Sequence, residues 1–99
     1  MVLACCCAVT ARAEAPASVR ADARAIFDRI VAIPSAAGLG QVPAVTQYLA
    51  DRFRAAGFPE DDIHVLPSRD TASLVVRYRG NGTGGKPVLV IAHMDVVTA

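Results

Sequence analysis

The chain has 99 residues, a formal net charge of +1, 54% apolar residues and 19% charged ones. That length allows one small domain with a thin core. The charge balance gives no basic field for nucleic acid and no polybasic run for an anionic membrane. The charged share and apolar content argue against disorder throughout.

The first segment, MVLACCCAVTARAEAPAS, is apolar from Val2 to Ala11 and then turns polar. Ala11-Arg12-Ala13 gives an A-x-A pattern before Glu14. Residues 1–13 therefore resemble a secretory signal peptide, although no Lys or Arg precedes the apolar run. The expected localisation is export, periplasmic or secreted. The Ala/Arg/Asp-rich composition fits a GC-rich bacterial genome. The alternative is a cytoplasmic protein with residues 1–13 retained. The stretch is too short for a membrane span. All three cysteines, Cys5, Cys6 and Cys7, lie inside it, so neither a disulfide framework nor a CxxC zinc site can be built from them.

A first helix is expected from Ser18 to Ala32. Ser18 suits the N-cap, and Asp22 is placed in the first turn, where the helix dipole favours a carboxylate. Val19, Ala23, Ile26, Phe27 and Ile30 recur at helical spacing, and Pro34 stops the helix. Ile33-Pro34-Ser35 reads as helix termination, and PSAAGLGQ as a loop. A second helix follows over Val42 to Ala56, with Pro43 in its first turn. Its apolar stripe is Val42, Val45, Leu49, Phe53 and Ala56, and Gly57 and Pro59 end it. Arg52 and Arg54 read as a solvated face, and the acidic EDDI after Pro59 as a turn.

Three strands are expected next. DDIHVLP alternates, with Ile63 and Val65 on one face and His64, a solvated histidine, on the other. ASLVVRYRG places Leu74, Val76 and Tyr78 on one side and Arg77 and Arg79 on the wetter one. GNGTGGKP is a turn; it lacks the following helix and the Lys-Ser/Thr pair of a phosphate loop. VLVIA, at Val88 to Ala92, has no alternation and reads as a central strand buried on both faces. The fold class is α/β, two helices then three strands, the opening part of a larger sheet domain.

His93 stands where VLVIA would end, and Asp95 follows at i+2. Functional groups in open α/β sheets gather at the carboxyl ends of strands. Neutral imidazole is a common zinc ligand, and such a ligand needs a partner on its other ring nitrogen. Residues i and i+2 of an extended segment point to one side, so Asp95 can reach back to His93 while Met94 points away into packing. A lone His-x-Asp is also a common surface hydrogen bond, and the residues alone leave both readings open. A Ser-His-Asp hydrolase is disfavoured, because Ser35, Ser68 and Ser73 sit in no G-x-S-x-G elbow.

LVIAHMDVV resembles the first signature of the M20 zinc metallopeptidases: an apolar strand, a small residue (Ala92), His-x-Asp, then Val96-Val97. FDRIVAIPSAAGLGQVPAVTQYLADRFRAAGF is similar to that family's opening helix, I-P-S loop and second helix ending in AGF. The resemblance covers Ala17 to Ala99. It implies a zinc-exopeptidase-like α/β/α catalytic domain with two zinc ions and a smaller lid domain, through which a homodimer can form. His93 would be a metal ligand. Asp95, the catalytic-site carboxylate, would hydrogen-bond to His93 and fix its orientation. The metals would polarise an amide carbonyl and activate a water. The implied substrate is a small peptide, cleaved by a carboxypeptidase-like exopeptidase, or an N-acyl amino acid, cleaved by a cytoplasmic deacylase of the same family.

Two departures from the family pattern matter. Thr98 stands where many members have proline. No Glu fits the family's acidic ligands or general base, since Glu14 lies at the signal junction and Glu60 in a turn. Residues 14–99 therefore read as the N-terminal portion of an M20-type catalytic domain, truncated, poorly folded and inactive alone. The reading from another class is a non-catalytic gene remnant.

Overall fold

The computed structural model describes residues 14–97. The expected signal segment 1–13 with its cysteines, and the departure at Thr98, lie outside the described residues. The elements are α1 (Ala17–Val31), α2 (Val42–Ala55), a single 3-10 turn (Glu60–Asp62), β1 (Ile63–Ser68) and β2 (Thr71–Val76). The chain is thus a small α/β arrangement, two helices followed by a two-stranded antiparallel sheet.

Helix α1 starts one residue earlier than expected. Pro16 occupies the N-cap with no side-chain cap, and the first turn holds no acidic residue. Ser18 is therefore inside the helix and Asp22 lies beyond the first turn. Pro16 leads in with φ −50°, a value its ring enforces, and its carbonyl accepts the first helical bond from Arg20 N–H at 3.1 Å. No residue of α1 is buried; Val19 and Phe27 are more than half exposed. Two weak links tie it to α2: Arg52 lies 3.9 Å from Asp22, and the Arg29 guanidinium lies 5.9 Å from the Tyr48 ring centre.

Helix α2 is the centre of packing. Pro43 sits in its first turn, and Val45, Thr46 and Ala50 are buried. Its end is a Schellman motif: Phe58 N–H donates to Phe53 O at 3.1 Å and Gly57 N–H to Arg54 O at 2.9 Å. Gly57 takes φ +85°, a left-handed conformation that a side chain disfavours.

The hairpin packs on α2. Its register pairs Ile63 with Val76, Val65 with Leu74 and Pro67 with Ala72. The period of two puts these six residues on one face, and Ile63 and Ala72 are buried there. Asp62 anchors the open end of the hairpin. Its carboxylate is 1% exposed, and it accepts Arg77 Nε on one oxygen and Arg79 Nε on the other, each at 2.7 Å. Arg79 and then Arg77 hold its carboxyl below the usual aspartate range. Arg54 is not simply solvated either. It forms a bidentate pair with Glu60, at 2.8 and 2.7 Å.

The expected third strand is not formed: Val88–Ile91 is extended chain without ladder pairing, and these residues are 81–88% exposed. A strand requires a hydrogen-bonding neighbour. The two described strands pair with each other, and an open gap of about 780 Å³ separates Val76–Tyr78 from Val88–Val90. Apolar content alone suggested a strand, but it could not supply the partner that a strand needs.

Candidate functional site

The segment after Val88–Ile91 turns towards the start of α2. There it closes one wall of a cleft of about 480 Å³. The opposite walls come from the Ser35–Gly40 loop and from the turn of the hairpin at Asp70–Ser73. The loop can run close because Gly38 and Gly40 take φ +83° and +63°, which removes the need for a side chain in a left-handed turn.

His93 and Asp95 come together in this cleft. His93 Nδ1 lies 3.3 Å from Asp95 Oδ1 and 3.0 Å from Asp95 O. Both neighbours are acceptors, so the arrangement favours the proton on Nδ1 and leaves the Nε2 lone pair for another partner. The imidazole is 84% exposed. Met94, between them, is half-buried against α2, with its sulfur 3.8 Å from Thr46 Oγ1. The other histidine, His64, is exposed on β1 and does not line the cleft.

Asp70 lines the same cleft and was not singled out in the sequence. It occupies a two-residue hairpin turn beside Arg69, whose φ is +55°. Only the hairpin register carries it there, and no local motif announces it. With Asp95 it gives the cleft two carboxylates and no lysine or arginine, a field that favours a cation over an anion. Ser35 was read as part of a helix stop and of the I-P-S loop, and was discounted as a nucleophile. It is fully buried, and its hydroxyl donates to Met94 O at 3.1 Å.

The chemistry of this donor set can be tested against the zinc centre that the family resemblance implies. The set supplies one imidazole and the carboxylate that orients it, which fits one corner of such a centre. A catalytic zinc needs three protein ligands. Among the described residues no group of three or more His, Cys, Asp or Glu side chains is placed to hold a metal. The full centre is therefore not assembled from the described residues. No helix among the described residues is long and apolar enough to cross a membrane. In comparisons with known proteins, no family model, curated protein or solved structure matches the chain.

Proposed function

We propose that this chain carries the first metal-binding segment of an M20-type metallohydrolase acting on peptide or amide bonds. One observation carries the reading: Asp95 lies within 3.3 Å of His93 Nδ1 while the ring remains open to the cleft. A histidine oriented by a carboxylate is the arrangement that a zinc ligand requires. The acidic cleft and the likeness of LVIAHMDVV to the family signature support it further. In this reading His93 binds metal through Nε2, and Asp95 holds the ring in orientation. A complete centre would supply a metal-activated water. The chain by itself turns nothing over, because one ligand builds no catalytic site. The substrate class is a small peptide or an N-acyl amino acid, and export through residues 1–13 would favour the peptide.

The test begins with the coding DNA on both sides of this frame. The expected result is a continuing frame that encodes what the family resemblance implies, a metal-bridging aspartate some tens of residues on and then a Glu-Glu pair that includes the general base. Expression of that longer protein with zinc should hydrolyse dipeptides or N-acyl amino acids. His93→Ala should then lower kcat/KM by roughly a thousandfold or more, the scale of losing metal-based transition-state stabilisation. A stop codon directly after Ala99 would make the chain a remnant. Full activity in His93→Ala would remove the assignment.

A further inference from the structure

We infer that Ser35 and Thr46 are positioning residues that set the aim of the His93–Asp95 pair by clamping the residue between them. Ser35 and Thr46 are both fully buried. Ser35 donates its hydroxyl to Met94 O at 3.1 Å. Thr46 donates to Val42 O at 3.0 Å, one helical turn back, and that bond turns Oγ1 to within 3.8 Å of Met94 Sδ. Among the described residues the Ser35 bond is the hydrogen bond that joins 88–97 to the rest of the chain, and the Thr46 contact with Met94 Sδ packs beside it. The apolar run before His93 has no ladder partner, so it does not hold the segment. Side chains alternate along extended backbone. Fixing the carbonyl and sulfur of Met94 on the α2 side therefore turns His93 and Asp95 together away from α2 and into the cleft. A buried serine left without its acceptor is costly, so the contact resists slippage by a residue, which would reverse every side chain.

The consequence for metal binding rests on the reading of His93 as a ligand, but the clamp itself does not. The test uses the full chain and histidine carbethoxylation by diethyl pyrocarbonate, read by mass spectrometry, with His64 as internal control. Asp95→Ala defines the His93:His64 rate ratio with the side-chain acceptor removed. Ser35→Ala is expected to move the ratio to that value, and Ser35→Thr to restore it, with the His64 rate unchanged. Zn²⁺ should protect His93, and Ser35→Ala should raise the half-protecting Zn²⁺ concentration by about tenfold, as loss of an outer-shell partner does. If circular dichroism shows Ser35→Ala unfolded, Thr46→Val against Thr46→Ser is read by the same criteria. A wild-type ratio together with wild-type zinc protection in the hydroxyl-deleted variant overturns the inference. A shifted ratio with no zinc protection even in the wild type upholds the clamp and removes the metal reading instead.

Discussion

At the scale of single residues, the buried charge among the described residues is the Asp62 carboxylate between Arg77 and Arg79. Its two oxygens are each matched to a guanidinium nitrogen, which is why a 1%-exposed charge is tolerated. Its folded pKa lies below the ordinary value of 3.8, so the unfolded chain binds the proton more readily. The stabilisation it contributes is present above pH ~4 and is lost as pH falls through the folded value. The melting temperature should therefore drop on acidification below pH ~4, and Asp62→Asn should make that drop shallower while lowering stability at neutral pH. An unchanged acid slope in Asp62→Asn would place the pH dependence elsewhere, with Glu60 the next candidate, since Arg54 holds it low as well. The sequence reading saw EDDI only as an acidic turn. Nothing local distinguishes Asp62 from Asp61, and the difference lies in the hairpin that brings two arginines back over one of them.

At the scale of elements, the two helices separate propensity from packing. Both have apolar stripes at helical spacing, and both form within a residue of their expected limits. Helix α2 packs on the hairpin and buries Val45, Thr46 and Ala50, whereas α1 buries no residue. Of the stripe expected on α2, Val45 is buried, Val42, Leu49 and Phe53 are half-buried, and Ala56 is exposed. Periodicity thus located both helices but did not tell which one has a surface to cover. The end of α2 was fully legible, because Gly57 is the residue that a left-handed C-terminal position demands. A Cβ at Gly57 would meet no heavy atom within 4 Å, so backbone conformation alone sets the effect of a substitution. Gly57→Ala should cost about 1–2 kcal/mol, measured as a shift in the urea midpoint with little change in slope. A neutral result would mean that Schellman closure contributes nothing to stability here.

At the scale of the whole molecule, the Cα radius of gyration is 19.6 Å, against about 13 Å for a compact domain of 100 residues. The excess reflects an α1 with no buried residue and a segment, Val88–Ile91, that reaches out unpaired. Four consecutive exposed apolar residues with no charge and two β-branched valines are a template for strand pairing. The chain should self-associate at roughly micromolar to millimolar concentration. The double variant Leu89→Lys/Ile91→Lys should stay monomeric in sedimentation velocity. A wild-type chain that sediments as a monomer throughout that range would refute this.

The sequence by itself determined the positions of both helices, the glycine stop, the two strands that pair and the presence of His93-x-Asp95, because each depends on contacts within a few residues. Tertiary structure decided what those elements could do. It left VLVIA without a partner, since a ladder requires a second strand at the right distance. It carried Asp70 into the cleft and set Ser35 and Thr46 under Met94, 59 and 48 residues away along the chain. Those placements depend on how α2 and the hairpin pack, and no short-range pattern encodes them.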